Sequence, residues 1–213
     1  MNLKKELPLI GIVLLPFVYL AYVWNQLPAQ VPMHYNIEGE IDRYGNKSEL
    51  ILIPIMTSLL IYLIFLAVPY IDPKKQIQKM GGKYDTLKFI ITTFMSILAL
   101  FIIYTAKNQT LTDPDYILLG CGVLFLILGN YFKTLKANYF IGIRTPWTLE
   151  SESVWKQTHK LAGKIWFLGG LLIILSCLIL DGKTNFIVFM CITAIMVLVP
   201  VLYSYLLFRK QEA

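Results

Sequence analysis

Charge is what this sequence has little of. Only 15% of its 213 residues are Asp, Glu, Lys or Arg, against about 25% in ordinary soluble domains, and the mean hydropathy is +0.63. A soluble globular domain is excluded on that ground. The six longest apolar runs contain no Asp, Glu, Lys, Arg or His, which leaves no buried proton relay and argues against an ion-coupled transporter. Cys121, Cys177 and Cys191, the only cysteines, fall inside these runs without paired spacing. They form neither a metal motif nor a disulfide framework and read as packing residues. Ser151 and Ser153 have only His159 nearby in sequence, too little for a nucleophilic constellation. No catalytic residue, metal or cofactor is assigned.

What is present is apolar length. The runs cover 7–24, 50–71, 89–106, 116–132, 165–180 and 186–208, each near the roughly 17 to 25 residues of a spanning helix. Backbone groups in hydrocarbon must be satisfied within the segment, so these are helices and the expected class is an all-α integral membrane protein with six transmembrane helices. The fifth run is short and is expected to begin inside a preceding helix. The first follows Lys4 and Lys5, as a signal peptide would. It is too long for a signal's apolar core and is read as a retained span.

The connections between runs alternate in charge. Four of them, the two termini and the 72–88 and 133–164 segments, hold 15 of the 19 Lys and Arg residues. The positive-inside rule then puts both termini and these two segments in the cytoplasm. The pI near 9.1 is this bias, and no direct nucleic-acid partner is implied. Kinks are expected at Pro16 and Pro54, and Trp24, Tyr70, Tyr104, Tyr116, Tyr131 and Trp166 sit where interfacial aromatic belts belong. Gly120, Gly122 and Gly129 on the fourth span and Gly169 and Gly170 on the fifth predict close packing of those two helices.

Two connections stand out as candidate sites. The external one, 25–49, carries Pro28, Pro32, His34, Tyr35, Asn36, Gly39, Asp42, Tyr44, Gly45 and Lys47. Its prolines favour extended backbone and its glycines turns, which predicts an ordered, net acidic cap. His34 with Glu38, Glu40 and Asp42 offers imidazole and carboxylate ligands, but the spacing matches no metal motif, and a loop folded over the helix ends is the simpler reading.

The internal connection, 133–164, contains Asn138-Tyr139-Phe140-Ile141-Gly142-Ile143-Arg144-Thr145-Pro146-Trp147-Thr148. A helix from about Ser151 brings Trp155, His159, Ala162 and Trp166 within a sector of about 60°. Lys156, Lys160 and Lys164 fall on the adjoining stripe, so a cytoplasmic amphipathic helix lying in the interface and running into the fifth span is expected. Arg144, Trp147 and His159 suggest a pocket for an anionic group, since a guanidinium binds phosphate or carboxylate bidentately.

At these two segments the chain resembles the SdpI-like family of bacterial membrane immunity proteins. The stretch Leu27-Pro28-Ala29-Gln30-Val31-Pro32-Met33-His34-Tyr35-Asn36 through Lys47 is similar to the small N-terminal domain of unknown function that accompanies that family. The stretch from Gly129 and Asn130 through Gly163 is similar to its signature region, with Asn138, Gly142, Arg144, Thr145, Pro146, Trp147, Trp155, Thr158 and His159 in register. The resemblance implies a multi-pass protein of the bacterial inner membrane that protects its producer from a secreted toxic peptide outside and, in the best-known system, holds a repressor inside. It places the ligand-binding signature at Asn138, Gly142, Arg144, Thr145, Pro146, Trp147, Trp155 and His159, and a second candidate surface at Pro32, His34, Asn36, Gly39, Asp42 and Lys47. Residues 1–72 and 73–213 are the expected domains. The rival reading is a membrane carrier or enzyme acting on an anionic, phosphate-bearing lipid.

Overall fold

The computed structural model describes residues 3–36, 40–109 and 115–212. Among them six helices are long and apolar enough to cross a membrane: Glu6–Gln26, Lys47–Ile71, Gly82–Asn108, Asp115–Phe132, Glu152–Ile179 and Gly182–Gln211. The chain divides into two compact units, 1–67 with 85–116, and 68–84 with 117–213.

In the first unit α1 (Leu3–Val23) runs unbroken through Pro16. Beyond it a short hairpin stands in an otherwise helical chain, where an ordered loop was expected. Strands β1 (Gln30–Tyr35) and β2 (Ile41–Asn46) pair antiparallel, from Gln30 opposite Asn46 to Tyr35 opposite Ile41, with irregularities on either side of His34. A two-stranded hairpin is marginal by itself, and this one is anchored from its first strand. Val31 is fully buried in a cluster with Leu20, Val23, Leu27, Leu50, Ile103 and Ala106. Asn46 then caps the next turn reciprocally, accepting from the Ser48 N–H at 2.9 Å while its own N–H donates to Glu49 Oε1 at 2.9 Å. Helix α2 (Leu52–Pro54) passes through a π-turn at Ile55–Leu59 into α3 (Leu60–Ile71). The ring of Pro54 removes one backbone donor, which explains why the local winding changes there.

The long helices extend past the apolar runs and carry charges with them. Glu6 of α1 and Lys88 of α5 (Gly82–Asn108) are both buried, with Lys88 Nζ donating to Glu6 Oε1 at 2.5 Å and the Tyr62 hydroxyl to Glu6 Oε2 at 3.1 Å. The apolar runs themselves stay free of formal charge, and the pair sits one position before the runs that begin at Leu7 and Phe89.

The second unit contains α4 (Gln76–Met80), α6 (Asp115–Phe132, from Ile117), α7 (Pro146–Glu150), α8 (Glu152–Ile179) and α9 (Gly182–Glu212). Buried Asp72 caps α4, its carboxylate accepting from the Ile77 N–H at 2.8 Å. The glycine expectation holds in part. An added Cβ at Gly129 would lie 2.4 Å from Phe167 N, and one at Gly170 2.6 Å from Gly122 O, so α6 and α8 touch backbone to backbone, whereas Gly169 faces Met196 of α9.

The helix expected from about Ser151 does run into the fifth span, but its aromatic face packs against protein. Residues 152–164 are the first turns of α8 itself, since the 28-residue sequence of α8 offers no proline to break it. At 1.5 Å per residue it is about 42 Å long and overruns a hydrocarbon core of about 30 Å. Trp155, His159 and Ala162 are buried against protein rather than laid on lipid. Trp166, half-buried, donates its indole N–H to Met196 O at 3.0 Å.

Candidate functional site

The 133–150 segment is held by side chains acting on backbone. Asn138, 1% exposed, uses its whole amide: Nδ2 donates to Lys136 O at 2.8 Å and Ile141 O at 3.0 Å, while Oδ1 accepts from the N–H groups of Phe140 and Ile141 at 2.8 and 2.7 Å. An Asn that closes turns on its neighbours in this way replaces the missing regular hydrogen bonds of a loop. Gly142 has φ of 107°, and a Cβ there would meet His159 Nε2 at 2.4 Å. Only glycine satisfies both constraints.

His159 locks the loop onto α8. Its Nε2 accepts from the Ile143 N–H at 3.0 Å and its Nδ1 lies 2.9 Å from Trp155 O, a pair of partners that selects the neutral ring protonated on Nδ1. The imidazole stacks on Trp155 at 4.0 Å between centroids. Trp155 in turn donates its indole N–H to Leu135 O at 2.9 Å. Thr145 and Thr148 form a reciprocal cap for α7, with Pro146 at the first helical position where its missing donor costs nothing. Trp147 donates to Ser204 Oγ and packs edge-on against Tyr205 of α9 at 5.3 Å.

Of the eight expected signature residues, seven thus hold the loop, and the polar atoms of Asn138, Trp155 and His159 are committed within it. Arg144 differs. It is exposed and, among the described residues, makes a single hydrogen bond, Nη1 to Tyr139 O at 2.6 Å. The pocket drawn from Arg144, Trp147 and His159 is therefore not assembled as one surface. Ser204, fully buried and the acceptor for Trp147, was not singled out in the sequence, where it reads as one more polar residue in an apolar helix.

Beside the loop lies a cleft of about 720 Å³. Lys74, Lys79 and Lys83 line it from one side of the unit and Lys133, Lys136 and Lys156 from the other, with Glu150, Glu152 and the Trp155 ring completing the wall. Glu152 pairs with Lys156 at 3.0 Å, Lys74 lies over the Tyr139 ring at 5.0 Å, and Lys136 donates to Lys79 O at 3.4 Å. The arrangement favours an anionic ligand. Each lysine was visible as a positive charge in its connection, but their convergence required the fold.

In the hairpin segment His34 Nδ1 meets Asp42 Oδ1 at 2.6 Å on the surface. Asn36 and Glu40 bind one another, the Glu40 N–H donating to Asn36 Oδ1 at 2.8 Å. Lys47 reaches back to Trp24, with Nζ 3.4 Å from its carbonyl and 5.0 Å from its ring, and Pro32 is buried in β1. Gly39 and Glu38 lie outside the described residues. Among the described residues no three His, Cys, Asp or Glu side chains gather to hold a metal.

Residues 134–204 match the model of the SdpI/YfhL protein family, and residues 11–57 match a domain of unknown function, DUF1648. The chain is 28% identical, over 98% of its own length and 98% of the relative's, to the immunity protein SdpI of Bacillus subtilis (strain 168). It is also 41% identical over 54 residues, 25% of the chain and 29% of the relative, to an uncharacterized protein of Archaeoglobus fulgidus. No solved structure matches.

Proposed function

We propose that this chain, a member of the SdpI/YfhL family, is a multi-pass bacterial membrane immunity protein that protects its cell against a secreted toxic peptide. One observation carries the reading: the likeness to an immunity protein runs end to end in both chains, through both family segments in order. The family match covers the polar loop itself, in which Gly142 packs against His159 and Asn138 closes the turn at Ile141.

The proposed orientation places the termini and the 133–164 loop in the cytoplasm and the hairpin outside, following the distribution of Lys and Arg. The hairpin is then the first part a secreted peptide meets, and the lysine-lined cleft faces the cell interior. A repressor held at the membrane would dock on that inner surface, where Arg144 and the lysines offer a basic patch to an acidic partner. The experiment is survival. A sensitive bacterium expressing this chain is challenged with the toxic peptide against which the Bacillus relative gives immunity, and with any secreted peptide produced beside this chain in its own source. Protection from either is expected, with the relative as positive control. Protection from neither, at matched membrane abundance, overturns the reading.

A further inference from the structure

A groove of about 450 Å³ lies between α6 and α8, at the point where Gly129 and Gly163 bring the two backbones together. Its walls change character along the helix. Lys133, Lys160 and Lys164 line one part and Phe167 and Leu168 the other, with the Asn130 amide between them. On α8, residues 160, 164, 167 and 168 succeed one another on a single stripe, and the order runs from the lysines into the apolar run at 165–180. The polarity gradient therefore follows the helix from headgroup depth into acyl depth.

Three features limit what fits. Among the described residues Lys133, Lys160 and Lys164 make no ion pair or side-chain hydrogen bond, and no carboxylate lines the groove. Three unneutralised ammonium groups call for an anion. Phe167 and Leu168 are 41% and 57% exposed, so the same occupant has an apolar part. The glycine pair leaves the floor as bare backbone, since a Cβ at Gly163 would stand 2.8 Å from Gly129 O, and a chain can lie in the resulting notch.

We propose that this groove is a binding site for one anionic phospholipid, its phosphate held by Lys133, Lys160 and Lys164 and its proximal acyl chain laid over Phe167 and Leu168. The lipid is a bound component that fastens α6 to α8 beneath the signature loop, neither cargo nor substrate, and its binding is independent of whether the protein confers immunity. The test is native mass spectrometry of the full chain in detergent, titrated with phosphatidylglycerol or with phosphatidylethanolamine of the same acyl composition. Phosphatidylglycerol is expected to be retained about fivefold or more tightly, and K133Q/K160Q/K164Q to remove that preference while K74Q/K79Q/K83Q on the neighbouring cleft changes it less than about twofold. The single variant K164Q, checked for unaltered helicity, should already weaken binding. Glycerol phosphate, which has the headgroup charge without the chains, should fail to displace the lipid. Equal retention of the two lipids, equal losses from both triple variants, or displacement by glycerol phosphate would each overturn the proposal, the last by identifying a free-anion site.

Discussion

Gly142 closes the loop against His159, and the closure leaves no room for a side chain. An alanine there takes a backbone conformation that costs about 1–3 kcal/mol for a residue with a Cβ, and its methyl also collides with His159 Nε2 at 2.4 Å. Gly142→Ala should lower the melting temperature of the purified protein and loosen the loop, read as faster proteolysis after Lys136. Arg144 gives a different result. Its one hydrogen bond among the described residues, to Tyr139 O, lies at the surface, so Arg144→Ala and Arg144→Lys are both expected to accumulate and melt normally. A lysine lacks the planar fork that binds an anionic partner at two points. Arg144→Lys is therefore expected to lose protection nearly as fully as Arg144→Ala in the toxin challenge. Protection by the lysine variant would reduce Arg144 to one positive charge among several.

At the scale of elements, the buried contact of Glu6 and Lys88 joins α1 to α5, with Tyr62 of α3 as third partner. Removing one charge of a buried pair strands the other and costs about 3–5 kcal/mol, whereas replacing both with apolar residues is often neutral. Glu6→Leu alone and Lys88→Met alone should each destabilise strongly in thermal unfolding in detergent, and the double variant should recover most of the loss. Additive losses would show that the two residues act separately.

For the whole molecule, the proposed orientation rests on charge that sits outside the apolar runs. Arg43 lies in the hairpin and Lys79 and Glu150 at the lysine cleft, all exposed. Cysteine at Arg43, in a background lacking the three native cysteines, should react with an impermeant thiol reagent in intact cells, and cysteine at Lys79 or Glu150 only after permeabilisation. The reverse pattern would invert the molecule and move the hairpin to the inside.

What the sequence determined follows from local and additive effects. Six spans are legible because hydrocarbon requires an uninterrupted apolar helix of fixed length, and the α6 and α8 contact because glycines such as Gly122, Gly129 and Gly170 let backbones meet. The signature residues were legible too, as a polar motif in an apolar chain. Their roles were not. Asn138, Trp155 and His159 look like ligand groups in sequence, and only tertiary structure spends their donors and acceptors on Ile141, Leu135 and Ile143. The hairpin was hidden because its strands are short and anchored chiefly by Val31 in a core built from distant helices. The Glu6 and Lys88 pair, the Ser204 acceptor for Trp147 and the two lysine-lined cavities share that reason. Each joins residues tens of positions apart, whose meeting depends on helix packing that no local pattern encodes.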